Sequence, residues 1–164
     1  MKSEGTRSEL LELLLEAISR EVQVSVQYML QHGVGAGHEA AGHGAAQPDR
    51  VSKFVASHSQ MWLPGVTLKK IAVTEMQHAE AIVERLVRLG ERPPEGIVSP
   101  GLGETTRDML GRDVKAEEEA IELYTRIIDV ARQQGDSETG ALFTRILSDE
   151  RQHLSTFTKV LNAG

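Results

Sequence analysis

The sequence predicts an all-α protein, an antiparallel four-helix bundle with one long crossover, and three observations carry that expectation. Leu, Ala, Glu, Arg and Val dominate the 164 residues, a palette that favours helices. Four stretches place apolar residues at alternating steps of three and four, the spacing of one helical face. No stretch of useful length alternates apolar and polar residues as a half-buried strand would. The length suits a single domain over residues 1–164 with a real core. With 40 % apolar and 26 % charged residues, the chain is expected to fold as a soluble globule.

The first helix is expected from about Arg7 to His32, with Thr6 and Glu9 as a capping box and Gly33 as its stop. Residues 33–63 read as an insert between the first and second helices. Its Gly/Ala/His-rich part, 33–47, reads as a loop. In its second part Val51, Phe54, Val55, His58 and Met61 fall at helical spacing, so a short helix is expected over 50–62. The second helix is expected from about Pro64 to Leu89, capped by Gly90 with Pro93 and Pro94 beyond. The third runs from about Glu104 to Gln134 and stops at Gly135. The fourth starts at Asp136 or Ser137, both good N-caps, and ends near Leu161.

Composition excludes several function classes. The chain has no cysteine, which removes disulfides, zinc ribbons, Cys-ligated clusters and thiol nucleophiles. A formal charge of −6 argues against capture of nucleic acid or an anionic membrane. No apolar run is long enough to span a bilayer. The opening residues, MKSEGTRSEL, contain no apolar signal segment, so a cytoplasmic location is expected.

The inward stripes carry the chemistry. They read Leu11, Leu14, Ile18, Glu21, Ser25, Tyr28, His32; then Leu68, Ile71, Glu75, His78, Ile82; then Leu110, Asp113, Glu117, Ala120, Tyr124, Ile127, Ala131; then Phe143, Ile146, Glu150, His153, Phe157, Val160. Each helix therefore buries an ionisable residue midway along an apolar seam, which is costly unless the charge is neutralised. The halves also rhyme. Tyr28 follows Glu21 by seven residues as Tyr124 follows Glu117, and both halves then carry Glu-x-Gln-His, at 75–78 and 150–153. This reads as a duplicated two-helix unit with one connection expanded. Four carboxylates and two neutral imidazoles balance two divalent ions. Oxygen and nitrogen donors of this kind suit iron, manganese and zinc. A single Glu-x-x-His is often only a solvated helical pair, but two on inward stripes with two lone inward Glu point to a dinuclear metal site.

Glu21-Val-Gln-Val-Ser-Val-Gln-Tyr28, Glu75-Met-Gln-His78-Ala-Glu, Met109-Leu110 through Glu117, and Asp149-Glu150-Arg-Gln-His153 resemble the ligand segments of the ferritin-like superfamily, and within it those of the bacterioferritins. The resemblance covers all four helices and implies a ferritin-like antiparallel four-helix bundle. It implies six ligands, Glu21, Glu75, His78, Glu117, Glu150 and His153, with Glu75 and Glu150 as bridges between two Fe ions, Mn being the other metal this set suits. The implied activity is ferroxidase: oxidation of Fe(II) by O2 or H2O2, with iron stored in a homo-oligomer. Met76 falls where bacterioferritins place a Met that ligates haem b across a two-fold subunit interface. Packing at an interface or surface is the simpler use of an off-seam Met.

Further residues are weighed on their own chemistry. Asp149 is expected to accept a proton from His78 and fix its tautomer. Bacterioferritins carry an Asp at the matching place in the second helix, and here it is Thr74, which leaves His153 without that partner. Tyr28 is assigned to the catalytic set as a hydrogen-bond donor or electron source near the metals, with core packing as the plain reading, and more so for Tyr124. Asp113 reads as a pore residue or a solvated helix start. His32, His38, His43 and His58 read first as solvated, and second as handling iron on its way in.

Two features depart from the bacterioferritin pattern: the 33–63 insert, and only eleven residues after His153, where a fifth short helix usually follows in 24-subunit shells. A dodecamer, a larger shell or a dimer all fit. The rivals are a non-storing diiron or dimanganese peroxidase or catalase, rubrerythrin-like without its Cys-rich domain, and a DNA-protective miniferritin shell. The acidic pI of 5.5 argues against the last.

Overall fold

The computed structural model describes residues 2–41, 65–96 and 99–163, with side chains over 8–34, 67–96 and 99–163. Four helices account for most of them: α1 (Lys2–Ala41), α2 (Gly65–Arg88), α3 (Thr106–Gln134) and α4 (Ser137–Ala163). Among the described residues there is no strand, so the all-α expectation holds.

The topology follows from which residues meet. Glu21 on α1 faces His78 on α2, and Glu9 and Gln31 on α1 reach Arg126 and Asp113 on α3. Leu10 and Ile18 share an apolar cluster with Ile82 and Leu86, while Val24 and Tyr28 share another with Leu68 and Ile71. Hence α1 runs antiparallel to both α2 and α3. It follows that α2 and α3 are parallel, and that the segment 89–105 must traverse the bundle from end to end. This is the expected long crossover. The helices form two tightly packed hairpins, α1 with α2 and α3 with α4, joined mainly along α1 and α3.

Three of the helix punctuation marks act as expected. Gly90 and Gly135 take left-handed backbone at φ 90 and 72. At each, the glycine N–H bonds three residues back and the next N–H bonds five back: Gly90 to Val87 and Glu91 to Leu86, Gly135 to Arg132 and Asp136 to Ala131. This is a Schellman closure. Asp136 then caps α4, its Oδ1 accepting from the Thr139 N–H at 3.0 Å.

Other boundaries are corrected. α3 begins at Thr106 rather than Glu104, because the Thr105 side chain accepts the Asp108 N–H and acts as its N-cap. The N-cap assigned to Thr6 and the stop assigned to Gly33 do not hold: α1 is helical from Lys2 through both and on to Ala41. A glycine inside a helix costs about 1 kcal/mol against alanine, which lowers helicity without forbidding it; only a left-handed residue closes the last turn. The loop assigned to 33–47 is thus helical over 33–41. The rest of that loop, the short helix at 50–62, His43, His58 and Pro64 lie outside the described residues.

The seams are buried as expected, with Leu11, His32 and Val160 half-buried at their ends. The core is not continuous. One apolar cluster gathers Leu14, Ile18, Leu86, Ile127 and Phe143, and a second gathers Val24, Leu68, Leu110 and Phe157. Between them lies a layer of fully buried carboxylates.

Candidate metal centre

Glu21, Glu75, Glu117 and Glu150 are each 0 % exposed, and His78 and His153 are 6 % and 8 % exposed. The periodic seams bring all six to one level of the bundle. Their donor atoms form two overlapping groups, Glu21, Glu75, His78 and Glu150, and Glu75, Glu117, Glu150 and His153, each within 4.8 Å. The shared members are Glu75 and Glu150, the two carboxylates expected to bridge.

Both imidazoles turn Nδ1 inward. His78 Nδ1 lies 3.1 Å from Glu150, 3.4 Å from Glu75 and 3.7 Å from Glu21. His153 Nδ1 lies 2.7 Å from Glu75 and 3.2 Å from Glu150. On its far side His78 Nε2 stands 3.2 Å from Asp149 Oδ2, the contact expected to fix its tautomer. Thr74 offers no equivalent: its hydroxyl donates to the Lys70 carbonyl, and His153 pairs with Glu75 and Glu150.

The tyrosines cross over. Tyr28 donates to Glu117 Oε1 at 2.5 Å, and Tyr124 donates to Glu21 Oε1. Each phenol thus occupies one oxygen of the lone Glu from the other half and leaves the second oxygen facing the centre. Tyr124, read first as packing, makes the same contact as Tyr28. Each ring also rests 5.2 Å from a phenylalanine of α4, Phe157 and Phe143 respectively.

The electrostatics of the empty protein are divided. Burial pushes Glu21 and Glu117 well above the ordinary carboxylate range, and the neighbouring Glu75 adds to both. Burial acts the same way on Glu75 and Glu150, but bonds from His153 and His78 outweigh it and hold both low. Burial alone would lower the imidazoles; the carboxylates outweigh it, raising His78 and bringing His153 to about 9.

Five of the eight carboxylate oxygens, Glu21 Oε2, both of Glu75, Glu117 Oε2 and Glu150 Oε1, are buried without a well-aligned hydrogen bond, those of Glu75 and Glu150 meeting only the imidazole Nδ1 atoms. Orphaned buried acceptors are rare because each loses its hydration uncompensated. Here they converge on the same small volume as two imidazole nitrogens, and hard oxygen and borderline nitrogen donors suit divalent first-row metals. The donor set therefore fits a pair of such ions. The Ferritin-like domain family matches residues 60–164.

The chain belongs to the ferritin-like family. A bacterioferritin of Desulfovibrio desulfuricans is 29 % identical over 160 residues, spanning 96 % of this chain and 76 % of that protein. A Mycobacterium avium bacterioferritin is 35 % identical over 81 residues, 49 % of this chain and 51 % of its own length. The Desulfovibrio desulfuricans bacterioferritin structure, which describes a diiron site in different catalytic states, matches at TM-score 0.72 and 27 % identity over 98 % of this chain and 82 % of that one. Mycobacterium tuberculosis bacterioferritin matches at TM-score 0.74 over 94 % and 84 %, with 21 % identity, a likeness of fold.

The remaining expected residues of this ferritin-like chain sit as follows. Met76 is 56 % exposed on the outer face of α2, away from the buried centre. Asp113 is not a solvated helix start: it is 1 % exposed, and its Oδ1 accepts from Gln27 and Gln31 at 2.8 and 2.9 Å. His32 is half-buried, with its Nδ1 enclosed and unbonded. No helix among the described residues is long and apolar enough to cross a membrane. Seam periodicity missed Arg20, which lies one position off the stripe. Its Nη2 donates to the Ala116 carbonyl, and its guanidinium carbon stands 5.9 Å from the Tyr124 ring centre.

Proposed function

We propose that the protein is a ferroxidase that oxidises Fe(II) with O2 or H2O2 at a dinuclear site within one bundle, for iron storage or detoxification. The observation that carries this reading is the convergence of four buried glutamate carboxylates with two imidazole nitrogens at one level of the bundle. Its Desulfovibrio relative, with a diiron site, supports iron as the metal.

In this reading iron is the substrate, held by Glu21, Glu75, His78, Glu117, Glu150 and His153. Glu75 and Glu150, common to both donor groups, are the carboxylates that two ions would share. Tyr28 and Tyr124 orient Glu117 and Glu21 by hydrogen bonds, so each lone Glu offers one oxygen in a set direction. Asp149 orients His78 with Nδ1 inward. The two apolar clusters above and below shut water out of the layer. The exposed Met76 is read as a residue at the contact between two copies. Haem b between such copies would give a b-type absorption spectrum that Met76→Leu abolishes.

Aerobic addition of excess Fe(II) to the purified metal-free chain, followed by sizing and iron analysis of the protein peak, tests the reading. A storage shell holds iron far above the two or so ions of one centre, in a large assembly. About two ions per chain in a small oligomer would instead mean a non-storing enzyme, to be assayed for peroxide turnover with iron and manganese. Glu21→Ala and Glu117→Ala are expected to lose fast Fe(II) oxidation and keep wild-type helix content. Oxidation at the wild-type rate in either variant overturns the ligand assignment.

A further inference from the structure

The two halves repeat the tyrosine–glutamate contact but place different groups behind the two phenols. Behind Tyr124 stands the Arg20 guanidinium, 5.9 Å from the ring centre, with one nitrogen bonded to the Ala116 carbonyl and Nη1 buried without a partner. The position matching Arg20 in the second half, just before Glu117, is Ala116. Beside Tyr28 there is instead a carboxyl: Gln27 and Gln31, on either side of Tyr28 along α1, hold Asp113 one turn before Glu117.

A cation over an aromatic face is attracted by the ring's electron density. Removing an electron from that ring abolishes the attraction, so Arg20 opposes oxidation of Tyr124. Tyr28 has no guanidinium in the matching place, which is Ala116. We propose that Arg20 makes the two tyrosines unequal, holding Tyr124 reduced as a hydrogen-bond donor so that it does not share the electron-source role expected of Tyr28. The physiological meaning rests on the ferroxidase reading; the charge asymmetry does not.

The donation balances with hydrogen peroxide as oxidant. Peroxide takes two electrons and two protons to become two waters. A chain holding a single Fe(II) supplies one electron and becomes Fe(III), and Tyr28 supplies the other and becomes a neutral radical. The Tyr28 O–H bond breaks, its proton passes to Glu117 Oε1 and on to the departing oxygen, and one solvent proton completes the second water.

The chain has only two tyrosines, so a tyrosyl radical can sit only on Tyr28 or Tyr124. Chains loaded with one Fe(II), mixed with one equivalent of H2O2 and rapidly frozen, are read by electron paramagnetic resonance. Wild type and Tyr124→Phe should give the tyrosyl signal, and Tyr28→Phe should lose it about tenfold, the scale of a buried cation–ring interaction. Arg20→Gln added to Tyr28→Phe should restore the signal on Tyr124, and Arg20→Lys, which keeps the charge, should not. An undiminished signal in Tyr28→Phe, or no gain from Arg20→Gln, overturns the proposal.

The same variants, metal-free, are oxidised with photogenerated ruthenium(III) tris-bipyridine. If this order of yields holds while iron and peroxide give no radical in any variant, the ferroxidase reading fails and the role of Arg20 stands. If the metal-free order fails in variants of wild-type helix content, the role of Arg20 is overturned.

Discussion

Asp113 lies in the interior with two neutral amides as its hydrogen-bond donors, and burial raises its pKa to about 7 from an ordinary 3.8. A carboxyl raised in the folded state stabilises the fold fully below its unfolded pKa, and that contribution is lost as pH rises through the folded value. The window here is between about 4 and 7. Asp113→Asn keeps an acceptor oxygen for the glutamines and cannot ionise. Its melting temperature is therefore expected to match wild type near pH 4 and exceed it above pH 7, by the equivalent of a few kcal/mol, each pK unit being about 1.4 kcal/mol. Equal melting temperatures at pH 8 would show that Asp113 titrates as an ordinary surface acid. The six donors and Tyr28 were legible in the sequence because each lies on a three-and-four seam, and a seam residue must face the core. Arg20 was not, because its position one step off the seam assigns it to the surface. Gln27 and Gln31 flank Tyr28 at a spacing of four, and only the meeting of α1 with α3 shows what they hold.

At the scale of elements, the ends of the helices decide how the hairpins are joined. Arg85 near the end of α2 donates to Thr139 at 2.8 Å, to Glu138 at 2.6 Å and to both oxygens of Asp136 at 2.8 Å. It fastens α2 to the cap of α4. Arg85→Ala removes these bonds and leaves the half-buried Asp136 with its Thr139 donors alone, and a lost hydrogen bond to a charged group costs about 1.5–3 kcal/mol. The half-exposed Glu138 is screened by water and adds little. A loss of about 1.5–3 kcal/mol in denaturant unfolding is expected, and a loss below about 0.5 kcal/mol would place this cluster among ordinary surface pairs. Gly135→Ala is expected to cost about 1–2 kcal/mol. A Cβ there meets nothing within 4 Å, so the cost is that of the left-handed backbone alone. The same glycine logic separates the boundaries that could be read from the one that could not. Gly90 and Gly135 close helices whose chains turn at once, whereas at Gly33 α1 simply continues. A glycine marks a helix end only where the following residues turn the chain back.

Across the whole molecule, the metal-free centre is neutral by division of labour. Glu75 and Glu150 are held ionised by two imidazoliums, and Glu21 and Glu117 stay protonated. Two divalent ions require four carboxylates and two neutral imidazoles, so loading expels about four protons per chain. Pulsed addition of Zn(II) in an unbuffered cell at pH 7, followed by base titration, should count them. Glu21→Gln should release about one fewer. Release of about two protons in wild type would show that Glu21 and Glu117 are already ionised. Metal binding should also raise the melting temperature, since it selects the folded state, and a chelator should reverse the gain.

The two donor groups are not divided between the hairpins. The first takes Glu21, Glu75 and His78 from α1–α2 and Glu150 from α4, and the second takes Glu117, Glu150 and His153 from α3–α4 and Glu75 from α2. Each ion would hold three donors of one hairpin and one of the other, and the crossover 89–105 supplies none. A chain cleaved within that crossover would thus become a two-piece switch, its halves pulled together by divalent ions and let go by a chelator.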